Sequence, residues 1–199
     1  MIRVLLFDIG GVLMQGRLND ALRDFATERG IDGELLVRLR NEHVDEMRVG
    51  RMSLLALFHA AGITGDSEEL IVAWTVVGQR HMSLNRFLLK KIAGWRIAGI
   101  RTAILSNVSE LRTPIDRAYD FYAGFDPVIL SNEVGLTKPD PRIYAHALRI
   151  LDVPADEIAF IDDMKEFLVP ARTLGMHALR FTNNETLLGD LAALGLPGF

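Results

Sequence analysis

At 199 residues, 49% of them hydrophobic, the chain can bury one sizeable core, alone or with a smaller insert. Its formal net charge of -4 leaves no basic field to gather nucleic-acid backbones or anionic lipid, which excludes polyanionic polymers as partners. There is no cysteine, so disulfides, thiolate metal sites and thiol nucleophiles are excluded together, and a cytoplasmic enzyme is the natural setting.

Arg3 followed by an apolar run has the outline of a short signal sequence, but Asp8 interrupts the run and no small-residue cleavage site follows. Nor does any stretch of about 18 uncharged apolar residues occur, so no membrane span is expected. The run itself, Val4-Leu5-Leu6-Phe7-Asp8-Ile9-Gly10-Gly11-Val12-Leu13, reads as a buried parallel strand that delivers Asp8 to the carboxyl edge of a sheet, where ligands of open α/β sheets bind. Gly10 and Gly11 let the backbone turn and approach a ligand without a Cβ in the way. The plain alternative is a strand-ending aspartate that caps a turn.

From about Gly16 to Met82 the pattern is helical and contains no convincing strand. Leu35 and Leu39, then Leu54, Leu57, Phe58 and Ala61, then Leu70, Trp74 and Val77 recur at helical spacing. Ser53 and Asp66 stand where N-caps belong, and Gly30, Gly50 and Gly62 where helices stop. About four short helices are expected, inserted where a lid over Asp8 would have to be. Trp74 is assigned to the core rather than to a dimer interface, and the sequence fixes no oligomeric state.

Beyond Leu84 helix and strand alternate. Leu84, Leu88, Ile92 and Trp95 mark a helix; Thr102 to Leu105 form a strand ending at Ser106-Asn107; a helix over about 110–119 is interrupted early by Pro114; a short strand follows at 128–130. Pro139 holds Lys138 extended, Asp140 can cap, and Pro141 opens a helix with Ile143, Ala147, Ile150 and Leu151 on one face. Ile158 to Ile161 form a strand stopping at Asp162-Asp163, and a helix over about 165–174 and a strand over 177–181 complete the pattern. The alternation predicts an α/β fold with a doubly wound parallel sheet.

Parallel strands put their carboxyl ends on one edge, so Asp8, Ser106-Asn107, Lys138 and Asp162-Asp163 can meet in one crevice. Two or three carboxylates with a backbone carbonyl suit magnesium, and the metal lets an aspartate approach a phosphate dianion. A hydroxyl, backbone amides and an ammonium can hold phosphoryl oxygens, leaving Asp8 as in-line nucleophile. Taken singly, Ser106 reads as a strand end and Lys138 as a solvated side chain; adjacent Asp162 and Asp163 at the end of a buried strand demand a compensating cation or donors.

Phe7-Asp8-Ile9-Gly10-Gly11-Val12-Leu13, Leu105-Ser106-Asn107, Gly135 to Tyr144 and Phe160-Ile161-Asp162-Asp163 resemble the four ordered motifs of the haloacid dehalogenase superfamily. The likeness is to the branch with sugar-1-phosphate phosphatases and the phosphatase domain of soluble epoxide hydrolases, with a helical cap after the first motif. It implies a Rossmann-like core over 1–15 and 83–199, a cap over 16–82, Mg2+ dependence and a small phosphorylated metabolite as substrate. It further implies Asp8 as nucleophile and metal ligand, Gly10 (through its carbonyl), Asp162 and Asp163 as further metal ligands, Ser106 and Lys138 as catalytic phosphate holders, and Asn107 and Gly11 at the substrate. Specificity would come from the cap, with Arg40, His43, Arg48, Arg51 and Gln79 as polar candidates.

Two departures stand out. Gly10 occupies the place of a second aspartate that protonates the leaving group, a loss that costs roughly a hundred- to ten-thousand-fold in rate unless His43, Glu46 or His81 substitutes. His81 continues the Trp74 stripe and is expected to be structural. Phe167 stands where an asparagine is frequent. A halide-cleaving dehalogenase also lacks the second aspartate but needs no metal, and a non-catalytic binding protein would keep the crevice without turnover.

Overall fold

In the computed structural model, which describes residues 1–196, five parallel strands lie in the order β5-β4-β1-β6-β7. These are β1 (Val4–Phe7), β4 (Arg101–Ser106), β5 (Val128–Leu130), β6 (Ile158–Asp162) and β7 (His177–Arg180). The chain is an α/β protein of the expected doubly wound kind, and β1 sits at the centre with both edges paired. Alternation along the strands divides the interior in two. Leu5, Phe7, Ile104, Ala159 and Ile161 enter one apolar cluster, and Val4, Leu6, Ala103, Leu105 and Phe160 the other.

Helices cover both faces. The second cluster is closed by α9 (Pro141–Leu151) and α10 (Lys165–Thr173), which bury Ile143, Tyr144, Ala147, Leu168 and Ala171. Asp140 caps α9 by accepting from the Arg142 amide, and Pro141 begins it as expected. On this helix Tyr144 replaces Ile150 on the buried face: Ile150 is 38% exposed, and the period from Ile143 to Ala147 carries Tyr144, not Ile150, inward. The first cluster takes in α6 (Arg86–Ile97), α7 (Thr113–Ala118) and α11 (Asn184–Ala193). Pro114 lies in the first turn of α7 and helps to start the helix rather than interrupt it. The helix α11 and the one-turn α8 (Ser131–Val134) have no counterpart in the sequence reading.

The inserted stretch holds five helices rather than four: α1 (Leu18–Thr27), α2 (Gly33–Glu42), α3 (Val44–Arg48), α4 (Leu54–Ala60) and α5 (Ser67–Arg80). Ser53 and Asp66 cap α4 and α5 by accepting backbone N–H bonds. Two short strands frame the insert, β2 (Met14–Gly16) and β3 (Met82–Leu84), paired antiparallel with Met14 opposite Leu84. Three residues are too few for a strand periodicity to show in sequence.

The insert is fused to the sheet domain by packing. Phe25 stacks on Phe58 with centroids 4.6 Å apart, and Trp74 meets both rings edge-on. Trp74 is buried as expected, and its Nε1 donates 2.8 Å to the Leu111 carbonyl across the boundary. Gly78 admits the Ile115 side chain into a space that a Cβ would fill. Insert and sheet thus share one continuous apolar cluster. No described helix is long and apolar enough to cross a membrane.

One charged pair is enclosed in this junction. Asp116 has no exposure and accepts from Arg112 Nη2 at 3.1 Å and from the Tyr122 hydroxyl at 3.2 Å. Burial pushes the Asp116 carboxyl above its ordinary value, and Arg112 opposes that shift. Replacing Arg112 by Met strands a buried carboxylate and is expected to cost about 3–5 kcal/mol in urea unfolding at neutral pH. A raised folded pKa means that stability is fullest below the unfolded value and is lost as pH rises through the folded one. The variant should therefore recover stability on acidification toward the carboxylate range, more than the parent does.

Candidate active site

The register of the sheet assembles the site. Phe7 lies opposite Ile161, and the Asp8 amide continues the ladder onto the Ile161 carbonyl at 2.9 Å, so Asp8 and Asp162 leave the sheet side by side. On the other flank Phe7 faces Ile104, and Ser106 ends β4 two residues on. Ser106 Oγ donates to Asp8 Oδ1 at 2.7 Å. Lys138 Nζ donates to that same oxygen at 2.7 Å and to Asp162 Oδ2 at 2.5 Å. Lys138 is therefore no solvated turn residue: its side chain is fully buried. Burial works against its ammonium, but the Asp8 and Asp162 carboxylates outweigh that and hold its pKa above the ordinary lysine value.

Asn107 has a different place from a substrate-facing side chain. Its Oδ1 accepts from the Lys138 amide and its Nδ2 donates to the Lys138 carbonyl, both at 2.8 Å, so the carboxamide grips the backbone that carries the ammonium. One residue further, the Ser131 hydroxyl bonds both the N–H and the C=O of Val108. The two clamps tie the end of β4 to the loops that follow β5. Sequence reasoning passed over Ser131, although it follows a short apolar strand just as Ser106 does. Phe167, which departs from the asparagine frequent in the resembled family, lies with its ring centroid 5.1 Å from Lys138 Nζ, and Phe160 stands at 5.5 Å, so two π-faces flank the cation.

The loop after Asp8 depends on its two glycines for different reasons. Gly11 has φ +78°, which strains any L side chain, and a Cβ there would overlap the Asp163 carboxylate and force it to move. At Gly10 the nearest atom to a Cβ would be Asp8 Oδ2 at 3.9 Å, an ordinary contact. That position is open space beside the free oxygen of Asp8. The Gly11 amide donates to the Met14 carbonyl at 2.9 Å, which roots β2 in the same loop.

Asp8, Asp162 and Asp163 each present a carboxylate oxygen within 4.8 Å of the others. Three acids face one ammonium, an excess of negative charge in a largely buried space. Burial pushes the Asp162 carboxyl up to about 6 against the pull of Lys138, and burial with the charge of Asp8 raises Asp163. Hard oxygen donors crowded together in need of positive charge fit a divalent ion such as magnesium.

The polar candidates of the insert make other contacts. His43 pairs with Glu46 at 2.5 Å, Arg48 with Asp45, and His81 Nε2 with Asp24 at 2.8 Å. The Gln79 carbonyl accepts from Tyr119 and the Arg51 amide donates to Glu46, while burial lowers the Arg40 pKa. None of them bonds Asp8, Lys138, Asp162 or Asp163 among the described residues. The insert does reach the same edge of the sheet, since α3 packs on α8 and Gly50 lies against the Asn132 carbonyl.

The chain is similar to known proteins. The chain is 34% identical over 116 residues to acyl-CoA dehydrogenase family member 10 of Mus musculus, which covers 55% of this chain and 10% of that one. It is 28% identical over 120 residues to bifunctional epoxide hydrolase 2 of Rattus norvegicus, covering 55% of this chain and 21% of that one. The chain thus spans a minor part of the length of these curated relatives. A haloacid dehalogenase family enzyme from Bacteroides thetaiotaomicron, solved with magnesium and inorganic phosphate, superposes with a TM-score of 0.73 at 18% identity over 94% of this chain and 99% of that one, which establishes a common fold. The model of the haloacid dehalogenase-like hydrolases matches residues 2–165. With four motif segments converging on one sheet edge and a family match over most of its length, the chain belongs to the haloacid dehalogenase-like hydrolases.

Proposed function

We propose that this hydrolase is a magnesium-dependent phosphatase of small phosphorylated metabolites, acting through an aspartyl-phosphate on Asp8. The observation that carries the reading is the three-way contact of Asp8 with Ser106 and Lys138 beside the Asp162-Asp163 pair. In this reading 1–15 and 83–199 form the catalytic core and 16–82 a cap that supplies specificity, and the absence of cysteine suits a cytoplasmic setting. That a protein of the same fold holds magnesium and inorganic phosphate supports the assignment.

The residues divide the work as follows. Asp8 Oδ1 is held by Ser106 and Lys138, which leaves Oδ2 to attack phosphorus in line. Ser106 and Lys138 then lie beside the phosphoryl oxygens and can donate to them as charge develops. Asn107 acts through Lys138 as a positioning residue, and the Gly11 backbone admits the phosphoryl group close to the chain. Asp162, Asp163, Asp8 and the Gly10 carbonyl would hold the magnesium, which when bound supplies charge neutralisation between nucleophile and phosphoryl group.

Gly10 favours a second reading, a dehalogenase-like hydrolase, because a departing halide needs no proton. The three clustered acids weigh against it, since like charges around a carboxylate substrate repel it without a cation.

Aryl phosphate turnover should require magnesium, stop on chelation, and vanish in Asp8→Asn, with no halide released from 2-haloacids. Magnesium should also raise the melting temperature at pH 7 by mass action, about 2.7 kcal/mol at a hundredfold excess over Kd. Asp163→Asn should weaken that shift while leaving the metal-free melting temperature equal or higher, because it removes one of three clustered like charges.

A further inference from the structure

An alkyl phosphate ester cannot break readily unless its departing oxygen receives a proton, because an alkoxide is a poor leaving group. A phosphoanhydride or acyl phosphate needs no such proton, since phosphate and carboxylate depart as stable anions. The question for this site is which side chain could supply the proton.

Among the described residues, the side chains hydrogen-bonded to Asp8 are Ser106 and Lys138, and both converge on Oδ1. Neither stands at Oδ2, the oxygen free to attack. Gly10 adjoins that oxygen: a Cβ there would lie 3.9 Å from it and meet no closer atom, and the Gly10 φ is not positive. A side chain planted there would reach the departing group, and there is none. His43 and Glu46 bond one another, and His81 bonds Asp24, so the three side chains of the insert named as stand-ins for the missing acid are engaged elsewhere.

Resting on the phosphatase reading, we propose that the substrates of this site are phosphoanhydrides and acyl phosphates, cleaved without general-acid assistance, and not alkyl phosphomonoesters. In the first step Asp8 Oδ2 forms a bond to phosphorus while the bond from phosphorus to the leaving oxygen breaks, and that oxygen carries away the electron pair as phosphate or carboxylate. In the second step water adds to the same phosphorus, the Asp8 oxygen departs with its electron pair, and the proton of water is lost to solvent. With no base beside Oδ2 the second step is the slower one. The aspartyl-phosphate should accumulate, so kcat becomes independent of the leaving group while kcat/KM stays sensitive to it.

The test compares acetyl phosphate with ethyl phosphate, near-isosteres that differ in the leaving group, with magnesium present and Asp8→Asn as the blank for spontaneous hydrolysis. Wild-type kcat/KM should favour acetyl phosphate by about a hundredfold or more, with a pre-steady-state burst approaching one equivalent of acetate per site. Gly10→Asp should shrink the preference at least about tenfold, chiefly by raising ethyl phosphate turnover, and should abolish the burst. A series of substituted phenyl phosphates on the unaltered protein probes the same dependence without a variant: a steep fall of kcat/KM with rising phenol pKa is expected. Turnover of both probes at similar kcat/KM, or a flat phenyl series, overturns the leaving-group inference and leaves the phosphatase standing. Inertness toward every phosphoryl probe with magnesium bound overturns both.

Discussion

A single ammonium group, Lys138 Nζ, sits between two carboxylates that the sheet places side by side. Without it, Asp8 and Asp162 would confront each other in a space from which water is largely excluded, and their repulsion would fall on the centre of the sheet. Much of the surrounding architecture serves to keep that ammonium in place. The Asn107 carboxamide holds its backbone, Phe160 and Phe167 wall its side chain, and the Tyr144 hydroxyl donates 2.7 Å to the Phe167 carbonyl to steady the segment behind. Among the described residues Asp163 forms no ion pair, and burial with the charge of Asp8 raises its carboxyl against the pull of Lys138 and Arg180, an asymmetry that makes the cluster receptive to a cation.

The core was readable from the chain because its strands are buried on both faces. Continuous apolar runs that end in Asp8, Ser106 and Asp162 announce parallel strands, and the parallel arrangement alone brings their ends to one edge. The Ser53, Asp66 and Asp140 caps were legible for a related reason, namely that capping is local chemistry between a side chain and amides two or three residues away. Short elements were not legible. Neither β2 nor β3 is long enough to display a period, and α8 is a single turn between Leu130 and Gly135.

The site was half visible. Residue types at strand ends named Asp8, Ser106, Asp162 and Asp163, and the loop that begins a helix named Lys138, but sequence could not tell a side chain that meets a ligand from one that supports its neighbour. Asn107 belongs to the second kind, and so does Ser131, whose bonds to Val108 span 23 positions. Gly10 and Gly11 look equivalent in the sequence, yet a side chain at Gly11 would be strained and would displace Asp163, whereas at Gly10 it would meet only an ordinary contact. That distinction depends on the local φ at Gly11 and on where the Asp163 carboxylate lies, which follows from the pairing of β1 with β6.

The contact of α5 with α7 has a bearing on how solutes enter. With the Trp74 indole sunk between the two layers and Gly78 pressed on Ile115, swinging the insert away as a rigid flap would expose an indole and break its bond to Leu111, an expense of about 3–5 kcal/mol by the yardstick of large-to-small core replacements. Because Phe25 and Phe58 lock α1 and α4 onto the same indole, a solute that could enter only by lifting the insert would forfeit that much binding free energy.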